Sequence, residues 1–159
     1  MREIHTFPPV FDESSEILIL GSFPSVKSRE QGFYYGHPRN RFWKVLAAVF
    51  GGAEPQGIDA KTAFLLAHKI ALWDVVASCE ITGSSDASIK NAVGNDLDMI
   101  LSAAPIRKIF ANGKTAEALY RRLLLPRFGR EITVLPSTSP ANAACSVEKL
   151  ISAWRVLQQ

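Results

Sequence analysis

The chain has 159 residues, 47% of them hydrophobic and 21% charged, with a formal net charge of +3. That length favours one domain over residues 1–159, built around one core, and the composition is that of a soluble globular protein. No apolar run is long enough to span a bilayer. The segment from Met1 to Pro9 lacks a charged-then-apolar signal pattern, so an intracellular, cytoplasmic protein is expected. Cys79 and Cys145 are the only cysteines and stand far apart. They read as two buried thiols in a reducing compartment and cannot supply a four-thiolate iron–sulfur cluster. The basic balance permits an anionic partner without requiring one.

The first predicted element is a short apolar strand, Ile17–Gly21. It runs into the loop Gly21-Ser22-Phe23-Pro24-Ser25 and then into Phe33-Tyr34-Tyr35-Gly36-His37-Pro38-Arg39-Asn40-Arg41. A helix follows, with Phe42, Val45, Leu46, Val49 and Phe50 on one face. Asp59 is a candidate cap for a further helix, and Ile70–Val76 reads as the second strand, with Asp74 inside it and Ala77-Ser78-Cys79 as its exit loop. Asp86 and Asn95 are candidate caps. Ile106–Ala111 is the third strand, and Asn112-Gly113-Lys114-Thr115 opens a helix carrying Leu119, Tyr120, Leu123 and Leu124. Ile132–Leu135 is the fourth strand, followed by Pro136-Ser137-Thr138-Ser139-Pro140-Ala141-Asn142. A closing helix carries Leu150, Ile151, Trp154 and Leu157, with Ser146 as its cap.

Strands alternating with helices predict an α/β fold, a three-layer α/β/α sandwich around a mainly parallel four-stranded sheet. In such sheets ligands sit beyond the carboxyl ends of the strands, and the polar and Gly/Pro-rich loops of this chain fall there. Each piece also has an ordinary reading. The aromatics from Phe33 to Trp43 can stack on bases or simply pack on the core. Asn40 precedes a helix and can be only its cap. His37 can be solvated, Asn112–Thr115 an ordinary strand-to-helix turn, and the Ser137–Asn142 loop a connector stiffened by prolines. Asp74 and Asp86 are possible functional carboxylates, with capping the simpler reading of Asp86. His5 and His68 show no partner, and no metal-ligand spacing is present. Ser22 lacks the glycine frame of a nucleophile elbow, and no credible Ser–His–acid set supports an esterase.

Read together, Gly21-Ser22-Phe23-Pro24-Ser25, Phe33-Tyr34-Tyr35-Gly36-His37-Pro38-Arg39-Asn40-Arg41-Phe42-Trp43 and Ser137-Thr138-Ser139-Pro140-Ala141-Asn142 resemble the uracil-DNA glycosylase superfamily. Their wording is similar to its hypoxanthine-DNA glycosylase branch, related to the mismatch-specific uracil/thymine glycosylases. Most branches carry Asp, Asn or Glu in the first motif, where this chain offers Ser22 and Phe23. The resemblance therefore implies that Asn40 takes the catalytic part.

It also implies a monomeric, monofunctional DNA glycosylase of base excision repair, without metal or cofactor. The partner is DNA containing a deaminated base, most readily hypoxanthine. Gly21, Ser22, Phe23, Pro24, Tyr35 and Ser78 would surround the flipped base. Ser25, His37, Arg39, Arg41, Lys114, Ser137, Thr138, Ser139, Pro140, Ala141 and Asn142 would grip the DNA. Uracil or a mismatched G·T or G·U pair as substrate, and a non-catalytic nucleic-acid-binding module of the same fold, are the alternatives.

Overall fold

The structure is a computed structural model and describes residues 2–159. In chain order it contains β1 (Arg2–Ile4), β2 (Ile17–Gly21), α1 (Val26–Gln31), α2 (Phe42–Phe50), α3 (Ile58–Ala67), β3 (Ile70–Asp74) and β4 (Val76–Glu80). A 3-10 turn (Asp86–Ser88) leads to β5 (Lys90–Gly94), α4 (Asp98–Leu101), β6 (Lys108–Asn112), α5 (Lys114–Leu123), α6 (Leu125–Phe128), β7 (Thr133–Leu135), α7 (Val147–Trp154) and a last 3-10 turn (Arg155–Gln158).

The four apolar runs become one parallel sheet in the order β3-β2-β6-β7. β2 and β3 are buried along their whole lengths, as strands covered on both faces must be. Right-handed crossovers then dictate the layers. The connection from β2 to β3 runs one way across the sheet, and those from β3 to β6 and from β6 to β7 run the other way, so their helices cover opposite faces. α7 returns to pack on α2, while α5 packs on β6 and β7. The strand order reverses between β2 and β6. Their carboxyl ends, Gly21 and Asn112, therefore flank the crevice where such sheets bind ligands.

A second, antiparallel sheet, β1-β4-β5, differs from the expected exit loop. The predicted strand Ile70–Val76 ends at Asp74: Val75 N–H still pairs with Gly21 O (2.8 Å), and Val76 N–H reaches Ser22 O (3.1 Å) beyond the end of β2. The chain then enters β4, so Ala77, Ser78 and Cys79 are strand residues rather than a pocket loop. Ser146 caps α7 by accepting from Lys149 N–H at 3.2 Å. Asp59 is already inside the first turn of α3, whose cap position is Gly57. Asn95 is drawn inward to donate to Asp74 O (2.8 Å), so it caps nothing. Cys79 is buried, whereas Cys145 is only half-buried; both are free. Among the described residues no helix is long and apolar enough to cross a membrane.

One core contact reaches the site directly. Trp154 is fully buried, stands edge-on to Phe42 (5.8 Å between centroids) and donates its indole N–H to Pro136 O at 3.0 Å. It joins α7 and α2 to the start of the last loop. Trp154→Phe keeps an aromatic ring but leaves a buried carbonyl unpaired and a gap beside it. The expected loss is about 1–3 kcal/mol, read as a lower denaturant midpoint at unchanged slope.

Candidate active site

The carboxyl ends of the parallel strands open into a cavity of about 1030 Å³. Gly21 to Ser25, Tyr35, His37, Asn40, Asp74, Asp86, Asn112 to Thr115 and Pro136 to Asn142 all contribute to its walls. The sequence-predicted residues thus converge on one place, with four departures described below.

Gly21 lies at the floor, opposite Asp74 in the strand register. Glycine is required here. A Cβ would collide with Asp74 Oδ1 and stand 2.8 Å from the Tyr35 hydroxyl. Tyr35 reaches this point from a backbone with φ of +53°, a conformation that bulky residues rarely adopt. Its ring stacks on Phe42 (4.1 Å, 20°). Its hydroxyl is buried without a hydrogen-bond partner, and Asn112 approaches without completing one. Burial first, then the charge of Asp74, push the Tyr35 phenol well above its usual range, so it remains a neutral O–H donor.

Asn40 is held by a relay. Its Oδ1 accepts from Phe42 N–H (3.0 Å) and from Thr138 Oγ1 (2.9 Å). Thr138 Oγ1 in turn accepts from Asn112 Nδ2 (3.0 Å), and Asn112 Oδ1 accepts from Thr138 N–H (3.1 Å). Phe42 N–H can only donate, so the amide orientation is fixed. Both lone pairs of the Asn40 carbonyl are engaged. Among the described residues its NH2 has no partner, and that is the group Asn40 offers to the cavity it lines. The capping and functional readings of Asn40 therefore coexist, on different atoms.

The first departure is Thr138, placed in the sequence reading among the DNA contacts. It is fully buried, because its hydroxyl and N–H serve Asn40 and Asn112, so it positions rather than touches. Arg41, also read as a phosphate contact, turns inward. Its guanidinium donates to the carbonyls of Cys145, Ser139 (3.1 Å) and Asn142 (3.1 Å), and its N–H to Thr138 O (3.1 Å). It braces the last loop from beneath. The third departure is Ser78, which is not part of the cavity wall: it faces Ile4 in the second sheet, and its hydroxyl accepts from Arg2 at 3.1 Å. The fourth is the aromatic stretch. Phe33, Tyr34, Phe42 and Trp43 are core residues, and Tyr35 alone reaches the cavity. Phe23 does line it, almost buried, with the Arg29 guanidinium 5.5 Å from its ring centre.

The remaining residues keep their places. Ser137 and Ser139 hydroxyls accept from Ser139 and Ala141 N–H groups, and Asn142 Nδ2 donates to Ser137 O (3.0 Å), so the last loop is pre-shaped. Pro140 is half-buried and Ala141 is exposed at the tip. Pro24 is buried. Ser25 caps α1 by accepting from Ser28 N–H. His37 Nδ1 accepts from Arg39 N–H at 3.0 Å at the rim. Arg39 and Lys114 are exposed. Among the described residues no cluster of three or more His, Cys, Asp or Glu could hold a metal ion.

Two contributions escaped the sequence reading. His5, which shows no partner in sequence, donates through Nε2 to Asp74 Oδ2 at 2.8 Å, with both side chains buried. Nothing in its neighbourhood signals this. Asn112 is in sequence only part of a turn; the structure makes it the anchor of the Asn40 relay. Asp74 did carry a signal, as the lone charge within an apolar strand run.

A family model described as "Uracil DNA glycosylase superfamily" matches residues 8–158, and the chain belongs to that superfamily. Within it, the chain is 36% identical over 151 residues to a hypoxanthine DNA glycosylase of Methanosarcina barkeri, covering 93% of each chain. It is 38% identical over 138 residues to a hypoxanthine DNA glycosylase of Methanosarcina acetivorans, covering 86% of each. The NMR solution structure of a proposed uracil DNA glycosylase from Methanosarcina acetivorans is 35% identical, superposes with a TM-score of 0.80 and is matched over 100% of both chains.

Asp86 supplies a pH-dependent check of this geometry. It accepts from Ser22 Oγ at 2.8 Å rather than capping a helix. Burial of the carboxyl against the cavity wall raises its pKa, the Ser22 hydroxyl opposes that, and the charge of Asp74 adds to it. A carboxylate whose pKa is raised by folding disfavours the fold once ionised, and the effect vanishes below its unfolded value. Asp86→Asn keeps an acceptor for Ser22 and removes the charge. Its melting temperature should equal or exceed wild type near pH 7, and the gap should close as pH falls below about 4. The residue as a whole is exposed, so solvent screens the effect on stability.

Proposed function

We propose that this chain is a DNA glycosylase that hydrolyses the N-glycosidic bond of a flipped, deaminated base, with hypoxanthine as its first substrate. It acts as a one-domain monomer in the cytoplasm, on DNA and without cofactor. One observation carries the reading: Thr138 and Phe42 engage the Asn40 carbonyl, which leaves its amide NH2 unpartnered at the wall of the large cavity at the strand-order reversal. The superfamily membership and the two hypoxanthine DNA glycosylase relatives support the substrate.

In the reaction the C1′–N bond breaks with its electron pair leaving on the base. Water adds to C1′, and the water proton passes to the base or to solvent. The transition state is oxocarbenium-like, by analogy with other glycoside hydrolyses. Asn40, its carbonyl already engaged, contributes as a fixed donor. It can hold the oxygen of water or meet the departing base, but it cannot take a proton. Rate acceleration then rests on donors fixed before charge develops. Unstacking the base takes a few kcal/mol and is easiest at a lesion or mismatch. Phe23 and the outer face of Tyr35 are the aromatic surfaces available to it. The pre-shaped Ser137–Asn142 loop meets the DNA beside the cavity, and Ser25, His37, Arg39 and Lys114 stand where the backbone passes.

Duplex and single-stranded oligonucleotides containing hypoxanthine, xanthine, uracil or G·T, incubated with chelator and then alkali, test the reading directly. Strand breaks at hypoxanthine are expected; none at any of these bases would sink it. Asn40→Ala and Thr138→Val should slow single-turnover excision by about 100-fold and about 10-fold or more. Wild-type rates in both would remove the relay from catalysis.

Arg39→Gln and Lys114→Gln should each flatten the log–log salt dependence of DNA binding by roughly 0.9. Arg41→Gln should instead lower the melting temperature, since it releases the loop carbonyls. An unchanged slope in the first two variants would take those residues off the DNA face.

A further inference from the structure

Asp86 brings a carboxylate to the cavity wall from the turn between β4 and β5. That turn is anchored on three sides. Ser84 Oγ accepts from Val26 N–H (2.9 Å), Gly83 O accepts from the Arg29 guanidinium (2.7 Å), and Ser88 Oγ accepts from Thr82 N–H (2.8 Å). Ser22, almost buried in the loop after β2, donates its hydroxyl to Asp86 Oδ1 at 2.8 Å. Among the described residues Oδ2 has neither a hydrogen-bond partner nor an ion-pair partner, and the residue is exposed and borders the cavity. A charge of this sign repels DNA phosphates, and no cation of the protein pairs with it among the described residues. It stands ready for a positive charge that arises only in the reaction.

Attack of water at C1′ needs an acceptor for the water proton and a counter-charge for the sugar cation. Asn40 is a neutral amide whose carbonyl is already engaged, so it supplies neither. The other polar groups on the wall are unsuited. Lys114 and the Tyr35 phenol are donors. His37 takes Arg39 N–H on Nδ1, which in the neutral ring leaves the proton on Nε2 and no second acceptor. Asp74 is buried at the floor and held by His5. We propose that Asp86 is the catalytic carboxylate for water, its Oδ2 orienting the attacking molecule beside C1′ and facing the sugar cation. This rests on the glycosylase reading above and adds a residue to it. The water oxygen forms its bond to C1′ as the C1′–N electron pair leaves on the base. The water proton passes to Asp86 Oδ2, and from there to the departed base or to solvent. Ser22 is a positioning residue: its O–H fixes Oδ1 and so leaves Oδ2 for the water. Burial against the wall raises the Asp86 pKa, the Ser22 hydroxyl opposes that, and the charge of Asp74 adds to it. The result is a better proton acceptor than an ordinary carboxylate.

Asp86→Asn keeps an acceptor for Ser22 and, from the stability argument above, melts at or above the wild-type temperature near pH 7. Single-turnover excision of hypoxanthine at saturating protein should nonetheless slow by about 100-fold or more. A rate within about 3-fold of wild type would overturn the proposal. The pH profile is a second readout. Wild-type excision should decline on the acid side as Asp86 takes up a proton, with a midpoint above the ordinary aspartate value of about 4. That limb should be gone in Asp86→Asn; an identical limb would overturn the assignment. The groups within reach of the Asp86 charge do not produce it. Burial holds the Tyr35 phenol and the Cys79 thiol neutral on the acid side, and Asp74 is retained in the variant. Ser22→Ala removes the bond that lowers the Asp86 pKa, so the limb should move to higher pH. A limb that stays in place would remove Ser22 from its positioning role.

A binding measurement reads the counter-charge without any turnover. Duplexes carry either a protonated 1-azasugar, which places a cation at the position of C1′, or a neutral tetrahydrofuran abasic analogue. Wild type should prefer the azasugar by about 10-fold or more, and Asp86→Asn should lose that preference. Equal preferences in the two proteins would overturn the assignment. If wild type excises none of the deaminated bases, the functional reading fails and this inference falls with it. If wild type and Asp86→Asn excise hypoxanthine alike, only this inference fails.

Discussion

The hydroxyl of Thr138 ties together three elements that are remote in sequence. It takes a hydrogen bond from Asn112 at the end of β6 and gives one to Asn40 at the start of α2, from within the loop that follows β7. The residue is fully buried, so neither bond competes with water. Arg41 and Trp154 hold the same loop from two further sides, through its carbonyls and through Pro136 O. A sheet edge alone would leave a flexible connector here. With these ties the loop, the amide of Asn40 and the mouth of the cavity become one rigid piece, which is what fixed-donor catalysis requires.

That rigidity has a local counterpart on the opposite wall. Gly21 lets the Asp74 carboxylate and the Tyr35 hydroxyl approach a backbone that a Cβ would have kept away. The fold tolerates a positive φ at Tyr35, a buried His5–Asp74 pair and unpartnered polar atoms on His5 and Tyr35. Such features lower stability. They gather at the strand-order reversal and nowhere in the α2–α7 core, where side chains are apolar and satisfied. Concentration of unfavourable groups at one edge, beside a large cavity, is the physical mark of a site shaped for a ligand.

The parallel sheet was legible because its strands are buried on both faces, so Ile17–Gly21 and the run from Ile70 read as unbroken apolar segments. The antiparallel sheet was not. β1 and β5 are short edge strands with exposed residues, and the bulges in the β4–β5 pairing break the alternation that marks a half-buried strand. Ser78 was misplaced for that reason. The loops were located correctly, since Gly, Pro and small polar residues past a parallel strand point to the ligand edge. What each side chain does there was less legible. Arg41 and Arg39 are equivalent in composition, yet one turns under the loop and the other outward. Thr138 and Ser139 are neighbours of similar chemistry, one buried and one half-buried. His5 lies 69 residues from Asp74, and such partnerships exist only after the β1–β4 pairing has formed.

A buried carboxylate in the wall of a cavity where a base departs raises an energetic problem that the rest of the site answers. As the C1′–N bond stretches, negative charge grows on the base, and the Asp74 carboxylate opposes it for every substrate alike. Fixed donors must outweigh that opposition: the Asn40 NH2, the Tyr35 hydroxyl and the N–H groups at the start of α5, where Lys114 also stands.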